Sequence, residues 1–182
     1  PLDPLGLHVQ SIEYLGYTER FTYNPLGQLT SQTRQAVSNA PSTVYYGYDA
    51  LGRMTSVTHA TGATIGYTYD ALGRRQSVSN ALGGIVRTTW NRQDRVSALR
   101  DALGRERQYL YDRNGRISTI VRPDGTRDGR IYDGVGNEVE QWDAMGNRTI
   151  RSFNAINLVT QELYFVTGTS TSSYRTVYTY DK

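Results

Sequence analysis

Cysteine is absent from the 182 residues, which excludes a disulfide framework, a thiol nucleophile and any zinc site built on cysteine. Long apolar runs are missing as well. No stretch approaches the roughly 18 consecutive apolar residues of a membrane-spanning helix, and the N-terminus carries no basic region followed by an apolar segment. No membrane span and no targeting signal are therefore expected. The two histidines, His8 and His59, stand alone in or beside turn signals, without acids at ligand spacing. They read as loop residues rather than metal ligands or bases, and neither a metal nor another cofactor is expected. Lysine occurs once, at Lys182, the other 19 basic residues being arginine. The net charge of +3 is spread among interspersed acids, with no basic run longer than Arg74-Arg75, and reads as a solvated or internally paired surface. A nucleic-acid partner is not expected.

What is present is tyrosine and glycine, 15 and 18 residues, against only 3 Phe and 2 Trp. That balance favours half-exposed strands joined by tight turns over an oily core. The order is periodic. Tyr48-Asp49, Tyr69-Asp70, Trp90-Asn91, Tyr111-Asp112, Tyr132-Asp133 and Phe153-Asn154 follow one another at intervals of 21 residues. Tyr23-Asn24 lies 25 residues before Tyr48, and Tyr180-Asp181 lies 27 after Phe153. Polar loop insertions near 38–43 and 167–173 account for the longer steps.

Each unit is itself two half-units. Glycines at 52, 62, 73, 83, 104, 115, 125, 136 and 146 alternate spacings of 10 and 11, with Asp94 and Asn157 in the two slots that glycine vacates. Gly, Asn and Asp best tolerate positive φ, and Asp, Asn or Pro two or three residues earlier suits the opening of a turn. Between turns remain about six residues, on the order of 20 Å of extended chain. These are strands, too short for stable helices. Ile65, Tyr67 and Tyr69 alternate with Thr64, Gly66 and Thr68, as Val44, Tyr46 and Tyr48 do with their neighbours. After the turn the apolar residues sit three apart, as in Met54/Val57, Val96/Leu99 and Ile117/Ile120, which points to a bulge or strong twist. One hairpin of this length cannot survive alone, whereas neighbours stacked edge to edge form a continuous sheet. The expected fold is all-β, a curved, spiralling sheet of stacked antiparallel hairpins, with residues 1–182 a single array and an excerpt of something longer.

The segments "YTYDALGRRQSV" (67–78), "YGYDALGRMTSV" (46–57) and "YLYDRNGRISTI" (109–120) resemble the YD repeats of the Rhs family. That family includes the bacterial Rhs polymorphic toxins, the C components of insecticidal toxin complexes, and teneurins. The resemblance implies a β-ribbon spiralling into a hollow shell that, in bacterial members, encloses a C-terminal toxin. It thereby implies a secreted or exported bacterial protein used in competition. Its partners would be the remaining repeats of the shell, the enclosed toxin polypeptide and secretion machinery. The module itself is expected to be non-catalytic. The alternative is an adhesion or carbohydrate-binding surface. "DPLGL" (3–7) resembles the sequence at which an Rhs core releases its toxin, but Gly6 sits on the repeat ruler and "NPLGQ" (24–28) has nearly the same form, so it reads as another turn.

The residues expected to matter are those of the repeat turns. Gly52, Gly73, Gly115 and Gly136 permit the backbone, and Asp49, Asp70, Asp112 and Asp133 bond local amides. Tyr48, Tyr69, Tyr111 and Tyr132 are expected in one row. Arg53, Arg74, Arg105 and Arg116, the Gly-Arg step of the resemblance, are expected to pair with a turn carboxylate, while Gln28, Asn137 and Asn147 replace that arginine elsewhere. The D-x-x-G turns offer one carboxylate each and read as Asx turns rather than calcium loops.

Overall fold

The computed structural model describes residues 9–14, 16–36 and 40–181. The 3–7 turn, His8, Ser38, Asn39 and Lys182 lie outside the described residues. No helix occurs among those described. The chain forms two compact units, Pro1–Thr88 with Asp101–Leu103, and Thr89–Arg100 with Gly104–Lys182.

The first unit carries β1 (Val9–Tyr14), β2 (Tyr17–Tyr23), β3 (Leu29–Ala36), β4 (Ser42–Tyr48), β5 (Met54–Thr58), β6 (Thr64–Tyr69), β7 (Arg75–Ser79) and most of β8 (Ile85–Trp90). The second carries β9 (Val96–Arg100), β10 (Glu106–Tyr111), β11 (Ile117–Val121), β12 (Arg127–Tyr132), β13 (Glu138–Trp142), β14 (Arg148–Phe153), β15 (Val159–Phe165) and β16 (Tyr174–Val177). Within each unit every strand pairs antiparallel with its neighbour in sequence. Of the expected loop insertions, Ala40 and Pro41 lie outside strands while Ser42 and Thr43 open β4, and 167–173 holds no strand.

The turns are alike because their hydrogen bonds are alike. The Asp49 amide donates to the Arg53 carbonyl and the Gly52 amide to the Asp49 carbonyl, both at 2.9 Å. Gly52 then turns left-handed at φ +79°, giving a type I turn followed by a glycine bulge, a favoured hairpin closure. The same bonds close His59 to Ala63 and Asn80 to Gly84 in the first unit, and Arg122 to Thr126 and Asp143 to Asn147 in the second. Asp94 and Asn157, which stand where the spacing calls for glycine, have φ of 58° and 61°. They are the two non-glycine residues among those described that tolerate this region.

The three-residue apolar spacing is a second bulge. Gly47 pairs with Ser56 but Tyr48 pairs with Met54, leaving Thr55 extra. Leu110 and Tyr111 likewise pair with Thr119 and Ile117, leaving out Ser118. The extra residue flips the alternation, so Met54 and Val57 share a face. Where it carries a hydroxyl it often bonds back across the ladder: Thr30 to the Thr22 carbonyl at 3.2 Å, Ser118 to Leu110 at 3.3 Å and Thr160 to Ser152 at 3.2 Å. Those bonds occupy carbonyls beside the bulge, where the ladder is interrupted.

In the first unit the two faces differ. Tyr46, Val57 and Ile65 are successive partners on one face, as are Tyr67, Val78 and Val86. The other face is lined with hydroxyls, paired as Thr22 with Ser31 at 2.6 Å, Thr58 with Thr64 at 3.0 Å and Thr68 with Ser77 at 2.7 Å. Neither unit has an interior in the usual sense. Among the described residues only Ala98, Gly129 and Thr149 are buried.

Candidate functional site

Asp49 shows how a repeat turn is built. One carboxylate oxygen accepts the amides of Leu51 and Arg53 at 3.0 and 2.9 Å, and the other accepts Nε of Arg53 at 2.7 Å. Asp70 and Asp112 hold the same positions, with Arg74 and Arg116 at 2.7 Å. At Asp133 the partner is the Asn137 amide at 2.8 Å. At Asp49 and Asp112 the amide of the following arginine, aided by its guanidinium, holds the carboxyl below the usual range against opposing desolvation. At Asp70 the Arg74 side chain has the largest part in lowering it. At Asp133 desolvation pulls upward and is outweighed by the Asn137 side chain and turn amides. Each aspartate thus stays ionised as the acceptor that closes its turn.

The arginine also reaches the next repeat. Arg53 Nη1 donates to the carbonyl of Asp70 at 3.3 Å, and its guanidinium lies 4.8 Å from the centre of the Tyr69 ring. Arg116 does the same to the Asp133 carbonyl at 3.4 Å and the Tyr132 ring at 4.4 Å. The row of tyrosines is therefore interleaved with guanidiniums. The reason is spacing: repeat-equivalent tyrosines stand two strands apart, about 10 Å, too far for ring to meet ring and right for a cation between them.

The tyrosines latch in the opposite direction. Tyr48 Oη donates to the Leu29 carbonyl at 2.9 Å, Tyr69 to Met54 at 2.7 Å, Tyr111 to Val96 at 2.7 Å and Tyr132 to Ile117 at 3.1 Å. Each acceptor opens the strand after the preceding repeat's turn. Tyr180 repeats the bond to Val159 at 2.7 Å.

The glycines at φ +79°, +82°, +83° and +109°, Gly52, Gly73, Gly115 and Gly136, lie beside the side chains that reach forward from the preceding repeat, Gln28, Arg53, Arg95 and Arg116. A Cβ on Gly115 would fall on the guanidinium of Arg95, and one on Gly52 would lie 3.0 Å from the Gln28 amide. Gln28, in the arginine's place, keeps the forward reach without the charge, donating to the Gly52 carbonyl at 2.8 Å. Asn137 reaches Asn157 of the next turn at 3.0 Å. Arg95 is the participant that motif reading misses. It follows Asp94 rather than glycine, yet its guanidinium lies 5.5 Å from the Tyr111 ring centre. Its position four residues after Asn91 is the signal that would have found it.

Many turn tips also present an apolar side chain to solvent, among them Leu26, Leu51 and Leu72, 74% to 78% exposed, and Leu82 at 95%, whereas Thr61, Gln93, Asn114 and Asp124 hold that place in others. No group of three or more His, Cys, Asp or Glu able to hold a metal occurs among the described residues. The arrangement holds charge and hydrogen bonds in pairs. Chemically it couples one repeat to the next.

The RHS Repeat family matches residues 48–85 and 90–127. No curated protein matches the chain. Among solved structures the chain is similar to the TcdB2-TccC3-Cdc42 crystal structure, at 12% identity and TM-score 0.53 over 89% of this chain. It is similar to TcdB2-TccC3 at 13% identity and TM-score 0.53 over 88%. A third likeness is to the Photorhabdus luminescens Tc holotoxin pore, at 12% identity and TM-score 0.53 over 92%. At such identities the likeness is one of fold. The chain spans 12% of the length of each of those chains.

Proposed function

From a chain that carries RHS repeats at residues 48–85 and 90–127, we propose a structural wall segment of a β-shell that encloses a C-terminal toxin polypeptide. The whole protein would be a bacterial Rhs-type secreted effector or toxin-complex component used in competition. Residues 1–182 act as one array within it. Their partners are the other repeats of the shell, the enclosed polypeptide and the machinery that exports the assembly. The segment performs no catalysis.

The observation that carries this reading is the two-way latch. Arginine reaches forward to the next turn while tyrosine reaches back, so cohesion is spent between repeats rather than in a buried core. A sheet of that kind holds its own shape as a barrier. The fold likeness to TcdB2-TccC3 supports the same reading.

The test is limited proteolysis of the full-length protein containing this segment. The enclosed region should resist cleavage in the native protein and be cut once the repeats are unfolded. Equal cutting in both states removes the containment reading.

A further inference from the structure

Eight asparagines lie among the described residues, and seven of them have their side-chain amides tied down. Asn24, Asn80, Asn91 and Asn154 use Oδ1 to accept main-chain amides of their own turns. Asn137 and Asn147 donate through Nδ2 to Asp133 and Asp143, and Asn157 accepts from Asn137. Asn114 differs. Its main-chain amide donates to Asp112 Oδ1 at 2.9 Å, but its side chain is exposed and has no hydrogen-bond partner among the described residues. It is also followed by glycine, and Asn114-Gly115 is the one Asn-Gly step in the 182 residues. The turn holds that position to glycine, because Gly115 has φ +83° and the Arg95 guanidinium fills the place of a Cβ.

A primary amide free to rotate, beside a main-chain nitrogen with no side chain to shield it, is placed for intramolecular attack. The Gly115 nitrogen loses its proton to water and bonds to Cγ of Asn114, the Cγ–Nδ2 bond breaks, and ammonia leaves behind a five-membered cyclic imide. Water then opens the imide at one of its two carbonyls. Opening at Cγ gives aspartate, whereas opening at the main-chain carbonyl gives isoaspartate, in which the chain runs on through the former side chain. Water is the sole co-reactant, and nothing is oxidised or reduced. The restraint on the reaction is the bond from the Gly115 amide to the Asp112 carbonyl at 3.0 Å, which the attack must release. Arg113 and Asn114 are exposed, so no burial opposes that local opening.

We propose that Asn114 is a site of spontaneous deamidation, a modification that converts the 112–116 turn to an isoaspartyl form and unlatches it from the next repeat. The second part follows from the closure of the turn. The Asp112 amide donates to the Arg116 carbonyl at 2.9 Å and the Gly115 amide donates back to Asp112, and isoaspartate lengthens the main chain between them by one carbon. Arg116 is then displaced from Asp112 Oδ2, now at 2.7 Å, and with it from the Asp133 carbonyl and the Tyr132 ring. Ordinary aspartate keeps the backbone, as Asp124 does in the same place before Gly125. The inference concerns this turn alone and is independent of the containment reading.

Incubation of the folded 182-residue chain at neutral and at mildly alkaline pH, with samples digested and mapped by mass spectrometry, tests the inference. Acid should replace amide at Asn114 about tenfold or more faster than at Asn91 or Asn137, whose side chains are bonded. The rate should rise with pH, because the deprotonated amide is the nucleophile. Labelling by an isoaspartyl methyltransferase should find the modified turn, and Asn114→Gln, which would need a six-membered ring, should abolish that label. The isoaspartyl fraction, separated by chromatography, should unfold at lower denaturant concentration than the parent, while Asn114→Asp should unfold with the parent. Conversion at Asn114 in the urea-denatured chain but not in the folded one overturns the proposal, since the turn then protects its amide. So does conversion at Asn91 or Asn137 as fast as at Asn114. An isoaspartyl fraction as stable as the parent overturns the unlatching.

Discussion

At the scale of single residues, the slot four after the turn aspartate and the slot before it do different work. Gly73 has φ +82°, and its missing Cβ would find only the Arg53 guanidinium, at 3.8 Å. A side chain there meets conformational strain rather than a clash, and a β-branched one meets the most. Gly73→Val should therefore lower stability by about 2 kcal/mol, measured by denaturant unfolding, and Arg74→Ala by less than half as much. Gly73→Asn should fall between, because Asp94 and Asn157 already hold the same backbone at 58° and 61°. Equal losses for Val and Asn would refute the left-handed requirement. Asp70 gives a pH prediction. Its carboxyl is held below the ordinary aspartate value of 3.8 by the Arg74 side chain first and by turn amides as well. The unfolded chain thus binds the proton more readily, so the stabilisation is complete above that value and disappears as pH falls through the lower, folded one. Asn at this position keeps the amide-accepting oxygen, as Asn24 does toward Leu26 and Gln28 at 3.0 and 2.9 Å, but not the charge. Asp70→Asn should be less stable than the parent at neutral pH, and the gap should close in acid; a gap constant from pH 7 to 3 would contradict this.

At the scale of strands and hairpins, much of the architecture is legible in the spacing, because turn chemistry is local. Asp49, Gly52 and their equivalents act within five residues, and alternation such as Ile65, Tyr67, Tyr69 reports one face of one strand. Even the bulge shows itself, since Met54 and Val57 share a face only if Thr55 is extra. The destinations of long side chains are not legible. That Tyr69 Oη finds the Met54 carbonyl depends on register between strands, and so does the seating of the Trp142 ring where a Cβ of its partner Gly129 would project. The latch yields its own prediction. Tyr69→Phe keeps the ring beneath Arg53 and removes only the 2.7 Å bond, so it should cost about 0.5 to 1.5 kcal/mol. Tyr69→Ala, which also abolishes the 4.8 Å cation contact, should cost clearly more. Thermal unfolding of the two variants side by side checks the order.

At the scale of the whole chain, stability built from neighbour contacts has a consequence at the last strand. β16 pairs with β15 through four residues from Tyr174 to Val177, and no described strand covers its other side. All four of its residues are exposed, Tyr174 at 71% and Val177 at 58%. In a repeat array the outer edge of each strand is where the next strand docks, and an edge left open is a template for another chain. The 182-residue chain should therefore self-associate as its concentration rises, seen as a growing sedimentation coefficient in analytical ultracentrifugation. Val177→Lys places a charge where an incoming strand would lie and should shift that association to higher concentration without lowering the unfolding midpoint, because Val177 is already largely solvated. If the substitution leaves association unchanged, the contact is made elsewhere, and the exposed leucines at the turn tips, Leu26, Leu51 and Leu72, become the surface to substitute next. The distinction matters physically. Edge pairing extends the hydrogen-bonded ladder that the latches already reinforce, whereas contact through the turn tips would join sheets by apolar burial alone.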